Sequence, residues 1–296
     1  MSLERTVWRI IHLGTQESAH HTAVERAVFE GVSKGTSSPT LLFSTWAPTV
    51  SLGRSQSYAL DVDAEACKKY GVQIIRRHSG GQAVYLDEGY FVFSAIAHPD
   101  ALTHDLTQLR KDFCDMLVST LKEYAVPAIF HEPDNIVIQQ GRYQTLGNSG
   151  QILRPGRALV AQGSVRHHFG DLDVMLDVLK VNGHKLNDYI GEIRHILTDV
   201  RTYSAYTTLP DLTKSFQRFF LDKVHGCPLE GQLMYAESEQ VKRFLQEEKN
   251  PAWVMGDATY PSRGVCYFFL NGKNLVPALD SILPCNQPST LRDSTT

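Results

Sequence analysis

The sequence lacks the features that mark several large protein classes. Its five cysteines, Cys67, Cys114, Cys227, Cys266 and Cys285, are odd in number and never form a CxxC pair. They read as reduced thiols of a cytoplasmic protein rather than as a disulfide framework. No segment approaches the roughly 20 apolar residues of a membrane span. Met1 to Arg5 lacks the apolar run of a signal peptide, so a cytoplasmic location and no membrane partner are expected. Basic residues are not in excess: Lys plus Arg number 29 and Asp plus Glu 32, a net charge of −3. That balance argues against bulk nucleic-acid binding, which needs a basic surface. It leaves room for a local anion site built from a few arginines and backbone amides. The pairs His20-His21 and His167-His168 suggest no metal site, because adjacent side chains of a strand point to opposite faces.

What is present is a chain of 296 residues, 42% hydrophobic and 21% charged, long enough for a sizeable core. β-Branched and aromatic residues predict strands at 6–13, 40–46, 49–52, 72–76, 82–86 and 90–97. Apolar residues at helical spacing predict helices at 17–34, 61–70 and 104–124. Short strands are expected at 128–130, 135–139 and 158–166. Beyond residue 170 the character turns helical, at 172–179, 212–224 and 238–248, with a small β segment at 264–270. The order is not a strict βαβ alternation. It predicts an α+β fold with a mixed or antiparallel sheet. The expected organisation is a main domain over 1–204, a small helical C-terminal section over 205–285 and a disordered polar tail over 286–296.

Four segments stand out. In Arg76-Arg77-His78-Ser79-Gly80-Gly81-Gln82-Ala83-Val84-Tyr85-Leu86-Asp87, two arginines end a strand and a glycine pair follows. Such a turn frees backbone amides for an anion, and arginine adds a bidentate clamp. The plain alternative is a tight hairpin with a solvated basic pair. The second segment runs from Pro48 to Gln56 and holds Gly53-Arg54. The third comprises Asp134-Asn135-Ile136 and then Gln144-Thr145-Leu146-Gly147-Asn148-Ser149. The fourth is Gln162-Gly163-Ser164-Val165.

In this order and spacing the segments resemble the lipoate–protein ligase and octanoyltransferase family, over residues 8–203. The resemblance implies an α+β, mixed-sheet catalytic domain of the biotin/lipoate–protein ligase type, similar to class II aminoacyl-tRNA synthetases. It implies attachment of lipoate or octanoate to a lysine of a lipoyl carrier domain, of a 2-oxoacid dehydrogenase E2 or a glycine-cleavage H-type protein. In ligases of the family the acyl group passes through acyl-AMP, with ATP and Mg as substrates. By resemblance the acyl-adenylate site comprises Arg76, Ser79, Gly80, Gly81, Gln82, Ala83, Val84, Tyr85, Asp87, Asn135, Gly147, Asn148, Gly163 and Ser164. Apolar residues near Val84 and Phe93 are expected to line an acyl tunnel.

The sequence departs from the family pattern where the chemistry is expected. The family lysine falls on Gln144, which supplies no fixed charge to a transition state. Arg142, two positions earlier, is a possible substitute, and Lys185 is another. The family aspartate falls on Asn135, the third loop glycine on Gln82, the loop histidine on Leu86, and the histidine before Gly163 on Gln162. No cysteine stands at 129–132, where a cysteine-dependent transferase needs its nucleophile. Three readings follow: a ligase acting through acyl-AMP, a catalytically reduced member that binds carrier or acyl-adenylate without turnover, or a transferase using a preformed acyl donor.

Overall fold

The structure, a computed structural model, describes residues 5–132, 135–140, 142–153, 158–181 and 183–256. Its first half contains β1 (Thr6–Gln16), α1 (Ser18–Ser33), β2 (Thr40–Trp46), β3 (Thr49–Leu52), α2 (Tyr58–Asp61), α3 (Ala64–Tyr70), β4 (Gln73–Arg76), β5 (Val84–Leu86), β6 (Tyr90–Ala97) and α4 (Leu106–Glu123). There follow β7 (Ala128–His131), β8 (Asn135–Gln140), β9 (Arg142–Leu153), β10 (Leu159–Arg166), α5 (Leu172–Val178), β11 (Lys180–Val181), β12 (His184–Lys185) and α6 (Ile190–Ile193). The last described elements are α7 (Leu209–Lys223), β13 (Gly226–Glu230), α8 (Tyr235–Glu248) and α9 (Pro251–Val254).

Local chemistry sets several boundaries. Asp105 caps α4 by accepting from the Thr107 and Gln108 amides. Thr208 and Asp211 form a capping box at the start of α7. Gly71 closes α3 in the left-handed conformation. Of the stretch 61–70, expected as one helix, Asp61 ends α2 and Ala64–Tyr70 form α3, because Val62 is extended and Asp63 caps a new helix by accepting from the Ala66 amide.

The main sheet has the order β13-β1-β2-β6-β10-β9-β8-β7. β1 runs parallel to β13 and β2, and the remaining pairs are antiparallel, so the sheet is mixed as expected. A small sheet, β4-β3-β5, stands apart from it. Strand alternation divides the core. From β6, Phe91, Phe93, Ala95 and Ala97 enter a core shared with α4 and α7. Tyr90, Val92 and Ile96 belong to clusters that also take in α1 or the small sheet. Phe93, expected to line an acyl tunnel, instead stacks on Phe113 with centroids 5.4 Å apart. Its position one residue from Val92 places it on the opposite face.

The section from residue 205 packs into this architecture. β13 extends the main sheet beside β1, and Phe216 and Phe220 of α7 are wholly buried in the larger core. α8 lies along α1. The expected β segment at 264–270, the tail at 286–296, Cys266 and Cys285 lie outside the described residues. Among the described residues, no helix is long and apolar enough to cross a membrane.

Candidate active site

A narrow cleft of about 60 Å³, partly open to solvent, lies between α1, the small sheet and the main sheet. Helix α1 presents His21, Thr22 and Glu25; residues one turn apart share a face. The apolar wall comes from Trp46 at the end of β2, Val84 and Leu86 of β5, and Val92 of β6. β10 adds Gln162, Gly163 and Ser164, and Ser51 and Arg77 lie at the small-sheet side.

A hydrogen-bonded chain crosses this cleft. Ser79 Oγ donates to Gln162 Oε1 (2.9 Å), and Gln162 Nε2 donates to Glu25 Oε2 (2.5 Å). Ser94 Oγ donates to the same Glu25 oxygen (2.7 Å). Burial pushes the Glu25 carboxyl above the usual carboxylate range, against the pull of Ser94, Gln162 and His78. His21 is 2% exposed, and burial lowers its imidazole to about 4, against the pull of the Thr45 backbone.

The two arginines of the Gly-Gly segment are committed to backbone carbonyls. Arg77 Nη1 donates to Ser51 O, and its Nε and Nη2 reach Gly80 O and Gln82 O, which closes the turn. Gly81 sits at φ 87°, and a Cβ on Gly53 would collide with the Gly81 carbonyl oxygen. Arg76 was expected to meet an adenylate phosphate. It is 2% exposed, and its N–H groups point at carbonyls of Gly53, Arg54 and Gln56 and of Trp253, Val254 and Gly256. In this conformation it positions the turn's support. His78, between the arginines and the glycines, stacks on Trp253 and meets Glu248 Oε1 at 2.7 Å.

Of the residues expected from the resemblance, Val84, Gly163 and Ser164 line the cleft, and Ser79 joins it through Gln162. Gly80, Gly81 and Gln82 form the turn beside it. Ala83 and Tyr85 are buried, and burial raises the Tyr85 phenol. Asp87 is buried behind β5; it accepts from the Gly89 amide (2.9 Å), and burial raises its carboxyl. Asn135 pairs with His131 and Asn148 in the strand register and is buried. Gly147 packs so closely on β10 that a Cβ would collide with the Ser164 carbonyl. The side chains of Arg142 and Asn148 lie outside the described ones.

Gln144 is not among the cleft residues. The register sets it opposite Ile138, which belongs to the core on the α4 side. Tyr203, packed against that core, donates its hydroxyl to Gln144 Oε1 (2.9 Å). Gln144→Ala is therefore expected to cost about 1 kcal/mol of stability through the lost hydrogen bond. It should change lipoate affinity by less than about twofold; urea unfolding and calorimetric titration measure the two effects. Lys185 pairs with Asp63 Oδ2 at 2.9 Å, on the hairpin of β11 and β12. Among the described residues, neither a lysine nor a cysteine lines the cleft. Cys67 and Cys114 are buried, and burial pushes the Cys67 thiol up to about 12.

His21, Thr22 and Glu25 escaped the sequence reading; a histidine and a glutamate four residues apart on the inner side of an alanine-rich helix were the available signal. The His21 shift has a thermodynamic consequence. The unfolded chain takes a proton on this imidazole near 6.5, and the folded chain only near 4. Its contribution is thus full above 6.5 and is lost as pH falls toward 4, by about 3 kcal/mol. Urea-unfolding curves between pH 4 and 7 should lose that increment of slope in His21→Asn.

The sheet, the cleft and its glycine turn together describe an α+β domain with a mixed sheet and one cleft between α1 and the two sheets. The Lipoyl protein ligase A/B catalytic domain model matches residues 17–220. The octanoyltransferase LipM of Staphylococcus aureus is 31% identical over 278 residues, covering 83% of this chain and 98% of that protein. LipM of Anoxybacillus flavithermus is 32% identical over 134 residues, so there the chain spans about half (48%) of the relative's length. The chain belongs to the lipoate–protein ligase and octanoyltransferase family. Among solved structures, a chain from an archaeal bipartite lipoate protein ligase studied with its E2 lipoyl domain, from Thermoplasma acidophilum, superposes with TM-score 0.75. It is 22% identical, and the match covers 85% of this chain and 96% of that one. A lipoate-protein ligase A bound with ATP gives 0.71 at 20% identity, covering 85% and 99%. Both show the same fold.

Proposed function

We propose that this protein attaches a lipoyl or octanoyl group to a lysine of a lipoyl carrier domain, with acyl-AMP as the activated donor. The observation that carries the reading is the cleft between α1, β5, β6 and β10. It has a narrow apolar wall of Trp46, Val84, Leu86 and Val92 beside a glycine turn held by Arg77. An acyl chain gains about 0.8 kcal/mol per buried methylene against such a wall. The named activities of the relatives support acyl transfer, and the ATP-bound and lipoyl-domain-associated neighbours support ATP and a carrier domain as co-substrates.

Acyl-AMP presents a carbonyl already activated by its phosphate. The protein's part is to hold the chain, exclude water and orient the carbonyl toward the incoming amine. Among the described cysteines, Cys67, Cys114 and Cys227, none lines the cleft, so the reading is built on acyl-AMP and not on an acyl-enzyme. Mg accompanies ATP as substrate. One observation favours a second reading: Gln144 replaces the family lysine and faces away from the cleft. On that reading the protein binds the acyl group or carrier and does not adenylate.

Mass spectrometry of apo lipoyl domains separates these readings. With ATP, Mg and lipoate, a ligase adds one lipoyl mass per domain. Supplied lipoyl-AMP instead of ATP, a transfer-only protein does the same. Binding of lipoate without mass gain in either arm leaves the binding reading alone.

A further inference from the structure

The elements that pack against the glycine turn come from the far end of the described chain. Trp253 of α9 grips the residues just before the turn in three ways. Its carbonyl accepts from Arg76 Nε (3.0 Å), and its indole Nε1 donates to the Arg76 carbonyl (3.0 Å). Its rings stack on the His78 imidazole, with centroids 4.7 Å apart and planes 19° apart. Glu248, at the end of α8 and 2% exposed, accepts from His78 Nε2 (2.7 Å) and lies 3.4 Å from Arg26 Nη1 of α1. On either side of His78 the chain is held by nearer elements. Arg77 closes on the Gly80 and Gln82 carbonyls, and the Ser79 carbonyl accepts from the Arg54 amide (3.0 Å). The His78 side chain instead meets α8 and α9. It also lines a cavity of about 200 Å³ with Arg26, Arg54 and Glu25, which shares Thr22 and Glu25 with the candidate cleft. Where α9 holds His78 therefore sets one wall of the space beside the cleft.

Resting on the acyl-AMP reading above, we propose that Trp253 is a positioning residue: through His78 and the Arg76 backbone, α9 straps the glycine turn into the conformation that receives the phosphate end of the activated acyl group. Glycine has more backbone freedom than any other residue, so a turn built on Gly80-Gly81 needs outside contacts to keep one geometry. Fixing residues 76 and 78 in advance lowers the ordering cost that a ligand at the turn must meet. Trp253 lines neither the cleft nor the neighbouring cavity, so its effect runs through the turn and not through the ligand.

Hydrogen exchange and calorimetric titration of the full chain test this without requiring turnover. In Trp253→Leu the amides of residues 77–83 should exchange at least about tenfold faster, while those of α4 and β6 keep their rates. Lipoyl-AMP should bind at least about fivefold more weakly, in the range of coupling through an intervening side chain, and free lipoate within about twofold of the wild type. Trp253→Phe keeps a ring on His78 and loses the Nε1 donor, so it should recover part of both effects. Unchanged exchange at 77–83, faster exchange spread over α4 and β6, an unchanged lipoyl-AMP affinity, or equal weakening of both ligands overturns the proposal. If the wild-type protein binds neither ligand, the acyl-AMP reading falls, and the exchange result by itself decides whether Trp253 holds the turn.

Discussion

Arg76→Met is expected to destabilise the protein by at least about 3 kcal/mol, seen as a lower urea midpoint. The guanidinium is buried between two segments far apart in the chain. Its Nη1 donates to the Gly53, Arg54 and Gln56 carbonyls at 3.0, 3.2 and 2.7 Å. Nε and Nη2 donate to Trp253, Val254 and Gly256. Hydrogen bonds from a charged donor contribute about 1.5–3 kcal/mol each, and a buried carbonyl left without a donor adds its own desolvation cost. Methionine fills much of the volume but satisfies none of these oxygens. The Gly53 loop and the α9 segment lose their common anchor, although Trp253 Nε1 still donates to the residue 76 carbonyl (3.0 Å). The slope of the transition should hold while its midpoint falls. A variant that keeps its midpoint and loses only nucleotide affinity would return Arg76 to the phosphate role implied by family resemblance.

The second large effect is expected at Arg9→Met, about 3–5 kcal/mol, because it leaves a buried carboxylate without its counter-charge. Arg9 and Glu237 form a bidentate pair at 2.8 and 2.6 Å, with exposures of 7% and 2%. Arg9 Nε also donates to Thr40 Oγ1, and Glu237 accepts from Ser37 Oγ and the Met234 amide. Burial opposes the Glu237 charge, but Arg9, Met234 and Ser37 together hold its carboxyl below the ordinary value of 4.5. In the wild type the pair's contribution is therefore present above about 4.5 and is lost as pH falls through the lowered folded value. Without Arg9 the carboxyl protonates readily, so the deficit of the variant should shrink toward acid pH. Removing both charges, in Arg9→Met with Glu237→Gln, should recover part of the loss, and a double-mutant cycle measures that coupling. A single-variant deficit that stays constant from pH 7 to 4 would exclude this origin. The pair ties α8 to β1, and α8 supports α1, which carries His21 and Glu25.

Much of the architecture was legible because its signals are local. The run of β6 and the apolar stripe of α4 appear in sequence at nearly their observed limits. The glycine turn was legible for the same reason, since a left-handed Gly81 follows from backbone geometry alone. β13 was not foreseen: Gly226–Glu230 contains a proline and has little apolar alternation. It becomes a strand by pairing with β1, a partner more than 200 residues away. The dual identity of β6 was half legible. Alternation was evident, but which of Val92 and Phe93 faces the cleft depends on where α1 and α7 pack.

What the sequence determined by itself was the family, the mixed α+β scaffold and the neutral residue at 144, because residue order and local periodicity carry that information. Tertiary structure alone decided what each charged group meets. Arg76 and Arg77 look alike as a basic pair ending a strand, yet one bridges distant segments and the other closes its own turn. The opening balance of 29 bases against 32 acids leaves that question open. An arginine's role depends on which carbonyls or anions surround it, and those neighbours are set by long-range packing. The same holds for His21: buried in the cleft and stacked on Trp46, it has a lowered imidazole that no spacing in the sequence announces.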